Sequence, residues 1–66
     1  MAVKKQMNHS EYMRKTRTMS ESSLRYVMED ARQAAEAGKG WNPNVGYYLD
    51  EVHYCAMELK RRKASK

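Results

Sequence analysis

The chain has 66 residues, 32% of them charged, with a net charge of +5 and one cysteine. At this length there is room for one domain, which buries only about 60% of the surface its unfolded form exposes. A lone Cys55 excludes an internal disulfide, and with His9 and His53 it offers no ligand pair at finger spacing, so neither a metal nor another cofactor is expected. The extra buried area that a small domain needs is therefore expected from self-association or from a partner.

Met1 to Lys5 begins with charge but has no apolar run behind it, so no signal peptide is expected. No stretch approaches the roughly 20 apolar residues that span a bilayer, so no membrane partner is expected. A single thiol without a secretion signal fits the reducing cytoplasm.

Residues 1–17 form a basic arm carrying Lys4, Lys5, Arg14, Lys15 and Arg17 against Glu11. The segment has no sustained apolar period, which predicts a flexible stretch or a short helix beginning at Asn8 or Ser10 and carrying Tyr12 and Met13.

The first well-marked helix is predicted over 19–37. Thr18 with Glu21 has the spacing of a capping box, and Ser20 is the alternative cap. Leu24, Val27, Met28, Ala31, Ala34 and Ala35 fall on one face at helical spacing. Glu21, Arg25, Glu29, Arg32 and Glu36 line the flank, where pairs four apart add a few tenths of a kcal/mol each. Gly38 is the expected stop.

After the loop Lys39-Gly40-Trp41-Asn42-Pro43-Asn44, a second helix is predicted over 44–62, capped by Asn42 or Asn44. Its apolar face reads Val45, Tyr48, Leu49, Val52, Cys55, Ala56 and Leu59. Lys60, Arg61, Arg62 and Lys63 finish it where cations suit the helix dipole. Residues 64–66 are a tail.

The expected fold is all-α: an antiparallel helical hairpin over 18–63, preceded by a flexible or short-helical basic arm. One hairpin leaves a face uncovered, so a third element or a second chain is expected on it.

Antiparallel helices would bring Arg14, Lys15 and Arg17 to the same pole as Lys60, Arg61, Arg62 and Lys63, with Trp41 at the other end. Such a cluster suits the phosphate backbone of nucleic acid or an acidic protein surface. It equally suits plain basic termini that finish a helix well. Tyr26, Tyr47, Tyr54 and Met57, with Met19, are expected to face away from the core. They are either a protein-contact stripe, since Tyr and Met are enriched where proteins meet, or a seat for the folded-over arm.

Catalysis is not expected. His53 and Cys55 diverge on a helix and cannot act as base and nucleophile, and Cys55 is expected buried and inert. Asp50, Glu51 and Glu58 are expected to be solvated flank residues, with Asp50 near enough to His53 for a local contact.

The segments Thr18-Met19-Ser20-Glu21-Ser22-Ser23-Leu24 and Tyr47-Tyr48-Leu49-Asp50-Glu51 resemble the small accessory proteins of T7-like phages, over residues 14–63. The resemblance implies a host-takeover factor, made during infection, that occludes a host enzyme handling nucleic acid. It assigns no individual residues.

Three functional expectations follow: a non-enzymatic protein with a basic pole for nucleic acid or an enzyme acting on it; a pure protein-binding inhibitor using the tyrosine stripe; and a homodimer forming a four-helix bundle.

Overall fold

The structure is a computed structural model that describes residues 6–64. All regular structure among the described residues is helical, in three elements: α1 (His9–Thr18), α2 (Glu21–Ala37) and α3 (Val45–Ala64). Lys4, Lys5 and Lys66, three of the cations read in the two basic ends, lie outside the described residues.

The stretch read as a flexible or short-helical arm contains α1, and of its two possible starts the chain uses Asn8. The Asn8 side chain accepts a hydrogen bond from the Glu11 amide at 3.1 Å, which satisfies one of the orphan donors of a helix start. The helix buries Tyr12 and Thr16. Thr16 can be buried because its hydroxyl donates to Met13 O at 2.8 Å within the same helix. At Met19 the backbone turns extended and the helix ends.

α2 starts later than the capping box implies. Ser20 is the N-cap, accepting from the Ser23 amide at 3.1 Å. The Thr18 hydroxyl is turned back into α1, where it donates to Lys15 O. Two helices separated by two residues cannot both use Thr18, and α1, which the sequence marks weakly, claims it.

At the far end Gly38 closes α2, and its carbonyl accepts from the amides of Trp41 and Asn42. This tight return brings Asn42 so close that a Cβ on Gly38 would lie 2.7 Å from Asn42 Cβ. Gly40 takes a φ of +89°, a region that favours glycine. Asn42 Oδ1 then accepts from the Asn44 amide, and Asn44 O accepts the Tyr48 amide as the first helical bond of α3. Trp41 stays on the outside with its indole N–H donating to Ala37 O.

α2 packs on α3 more extensively than α1 does. The two pass in opposite senses: Glu21 and Arg25 lie by Lys60, Arg62 and Lys63, and Met28 and Arg32 by Val52. Ala31 and Ala35 are buried on α2, and their small side chains permit close approach. The core is Leu24 and Cys55, both fully buried, with Tyr12 from α1 closing over them. Burial of Leu24 contributes roughly 1.5–3 kcal/mol.

Two positions depart from the expected faces. Leu49, assigned to the buried face of α3, is 53% exposed, because it lies on a side that neither α1 nor α2 covers. Met19, expected outward, is half-buried against the core, since it is the corner between α1 and α2 rather than a residue of α2. No helix among the described residues is long and apolar enough to cross a membrane.

Candidate functional site: the basic pole

α1 is fastened to α3 by polar contacts along its whole length. At its start His9 Nδ1 and Tyr54 Oη share a 2.6 Å hydrogen bond. In the middle the Tyr12 hydroxyl donates to Glu51 Oε2 at 2.8 Å, with the Tyr12 and Tyr54 ring centroids 6.0 Å apart. Burial first, and then this bond to a carboxylate, push the Tyr12 phenol well above its ordinary pKa.

At the end of α1 the fastening is a guanidinium. Arg62 Nη2 donates to Met19 O at 2.6 Å, to Thr16 O at 3.1 Å and to Arg17 O at 3.3 Å. These carbonyls belong to the last turn of α1 and its cap, where helical amides run out and only Thr16 O also accepts a backbone amide, that of Met19 at 3.3 Å. A cation there also offsets the partial negative charge of the helix end.

Arg62 is held in place from below by Glu58. Its Nε donates to Glu58 Oε2 at 2.8 Å, while Arg61 donates to both carboxylate oxygens, at 3.0 and 2.7 Å. The Glu58 side chain is 4% exposed, which corrects its reading as a solvated flank residue. Hydrogen bonds from Arg61, and further ones from Arg62, hold the Glu58 carboxyl down at a pKa of about 2, against the upward push of desolvation. Glu51 is likewise half-buried, as the acceptor for Tyr12. His53 packs its ring edge-on to Tyr54.

The seven cations expected at one pole thus divide into two sets. Arg62 is half-buried, its guanidinium taken up by Glu58 and by the carbonyls at the end of α1. Arg61 is exposed but shares Glu58 with it. Arg14, Lys15, Arg17, Lys60 and Lys63 all lie exposed. The Arg62 bridge sets the last turn of α1 beside the last turns of α3, so these five flank a common end. Lys15 also lies over the Tyr12 ring, 5.5 Å from its centroid.

Between α1 and α3 at this end runs a groove of about 190 Å³ with Met13, Tyr54 and Met57 among its walls and Arg17 and Arg61 on its rim. The expected tyrosine stripe is not one surface. Tyr54 and Met57 belong to this groove, with Tyr54 partly covered by α1. Tyr26, 73% exposed, borders a separate hollow with Lys15 and Met19. Tyr47 is half-buried with its ring edge-on to Tyr48.

Cys55 is fully buried, and burial raises its thiol pKa. Among the described residues no group of three or more His, Cys, Asp or Glu side chains could hold a metal ion. The sequence reading missed Glu58 as the keystone of this pole, although Glu58-x-x-Arg61-Arg62 places two guanidiniums three and four residues on, both within reach of its carboxylate. Comparison of the chain with protein-family models, with curated proteins and with solved structures found no match.

Proposed function

We propose that this is a non-enzymatic binding protein that holds a polyanion, the phosphate backbone of a nucleic acid, at the pole where α1 and α3 end. In this reading the working unit is the α2–α3 hairpin braced by α1. Arg14, Lys15, Arg17, Lys60 and Lys63 contact phosphates, and Arg62 positions them. The observation that carries the reading is the Arg62 bridge to the carbonyls of Thr16, Arg17 and Met19. It spends a half-buried guanidinium on aligning two helix ends whose remaining cations lie exposed. The likeness of residues 18–24 and 47–51 to phage accessory proteins extends the proposal to a factor that acts on host nucleic acid or an enzyme bound to it, in the cytoplasm.

The test is fluorescence anisotropy of a labelled duplex titrated with the protein at about 50 and about 200 mM salt. Five phosphate contacts give a slope of log K against log salt of about −4.5, or a loss of about 500-fold across that range. Reversing Arg17, Lys60 and Lys63 to Glu together abolishes binding while far-UV circular dichroism stays unchanged. No binding at 50 mM salt overturns the proposal.

A second reading is favoured by the groove beside the pole. Met13, Tyr54 and Met57 offer apolar contact within a basic rim, which suits an acidic protein with an apolar anchor. Replacing Met13 and Met57 with Ser separates the two, since it removes the anchor and leaves every cation in place.

A further inference from the structure

The groove between α1 and α3 lies within the basic pole, and apart from two arginines at its rim the polar side chains of its walls are already engaged. The Thr16 hydroxyl donates to Met13 O within α1, the Tyr54 hydroxyl shares a hydrogen bond with His9 Nδ1, and the Glu58 carboxylate holds Arg61 and Arg62. What the walls offer a ligand is the apolar surface of Met13 and Met57, both exposed, and the ring of Tyr54. Each wall brings one guanidinium to the rim, Arg17 from α1 and Arg61 from α3. The volume of about 190 Å³ is that of about six waters, which suits one flat ring system and not a row of side chains.

We propose that the groove takes one unpaired base of a single-stranded nucleic acid, with the phosphates before and after that base lying against Arg17 and Arg61. The proposal rests on the reading of this pole as a phosphate site and narrows it to single strands. Charge complementarity selects the occupant. In a strand every base has a phosphate on either side, as the groove has a guanidinium on either wall, and the exposed Arg14, Lys15, Lys60 and Lys63 extend the positive surface beyond it. A duplex answers these cations but leaves the groove empty, because its bases are paired and stacked inside. A single apolar anchor fills the groove but brings no regular row of charge to the cations around it. A strand does both. The face of a base packs on methionine and tyrosine, since sulfur and aromatic ring both make favourable contacts with a π-face, while its polar edges stay in water at the mouth. With Thr16, Tyr54 and Glu58 engaged inside the fold and the two arginines on phosphate, binding depends little on which base enters.

The test is fluorescence anisotropy with three labelled probes of equal length, about 12 nucleotides: a mixed-sequence DNA strand, the same backbone with every base removed, and the duplex. Phosphate contacts alone rank the duplex first, because each contact on a duplex releases more counterion than one on a strand. A stacked base contributes about 5- to 150-fold in affinity, so the strand binds at least about 5-fold more tightly than the abasic backbone. Met57→Ser, at an exposed position where circular dichroism verifies the helix content, removes that advantage and leaves the affinity for the abasic backbone as it was. Equal affinity of the intact protein for the strand and the abasic backbone overturns the proposal and leaves the phosphate reading standing. A strand advantage that survives Met57→Ser overturns it as well, since the base then sits elsewhere. No binding to any of the three overturns both readings and leaves the groove to an acidic protein with an apolar anchor.

Discussion

Arg62 Nε lies 2.8 Å from Glu58 Oε2 on one side, and its Nη2 lies 2.6 Å from Met19 O on the other. One guanidinium therefore joins a buried carboxylate of α3 to the carbonyl end of α1. Arg62→Ala leaves the carbonyls of Thr16, Arg17 and the cap residue Met19 without this donor and Glu58 with Arg61 alone. Charge-assisted hydrogen bonds and a broken, largely buried ion pair set the loss at about 2–3 kcal/mol in urea unfolding. Arg61→Ala, at a side chain 53% exposed and screened by solvent, costs less than Arg62→Ala in the same measurement.

The same carboxylate gives the fold an acid limit. Its pKa is about 2 in the folded chain against an ordinary 4.5. A depressed pKa contributes stability that is complete above the unfolded value and is lost as pH falls through the folded one. Stability should therefore decline between about pH 4.5 and 2. Glu58→Gln removes that part of the slope, which equilibrium unfolding at a series of pH values measures.

Tyr12 works in the opposite direction. Its raised pKa favours the neutral phenol in the folded state, so its contribution is complete below pH 10, the ordinary tyrosine value, and is lost as pH rises beyond it. Tyr12→Phe keeps the ring over Leu24 and Cys55 and removes the donor to Glu51. Expected are a loss of about 1–2 kcal/mol at neutral pH and a shallower alkaline decline, read from unfolding at pH 7 to 11.

Helix punctuation separates neighbouring hydroxyls. Ser20→Ala removes the cap of α2 and should cost about 1 kcal/mol. Thr18→Ala removes only an exposed local bond within α1 and should stay within about 0.5 kcal/mol. Equal losses would assign the cap to Thr18.

Two glycines respond with opposite signs to alanine. Gly38→Ala drives a methyl into Asn42 and loosens the loop, at about 1–3 kcal/mol. Gly46→Ala, in the first turn of α3 with open space around it, raises stability by about 0.5–1 kcal/mol. Thermal unfolding of the two variants reads both.

Much of the architecture was legible. The apolar rows of α2 and α3 run at helical spacing for many turns, and Gly38 and the Asn-Pro loop mark their limits. α1 was obscured because its two buried positions are Tyr12 and Thr16, and a threonine breaks an apolar pattern even when its hydroxyl is satisfied at home. Of the two caps expected for α2 the chain uses Ser20, because α1 runs through Thr18 and takes up its hydroxyl. At the pole, the clustering of cations could be read from charge along the chain, but their division could not. A glutamate is usually solvated, and only the spatial meeting of Glu58 with the α1 terminus makes Arg62 structural and leaves Lys60 and Lys63 outside. Leu49 kept its period and lost its partner, since periodicity marks a face without showing what covers it.

Every fastening of α1 joins positions distant along the chain: His9 to Tyr54, Tyr12 to Glu51, and Thr16, Arg17 and Met19 to Arg62. α2 and α3, by contrast, are connected through a short loop and close with little loss of chain freedom. Holding α1 in place therefore costs more chain freedom than closing the α2–α3 pair, and its packing on α3 is less extensive. Its exposed amides should accordingly exchange with solvent sooner than those around Leu24 and Cys55.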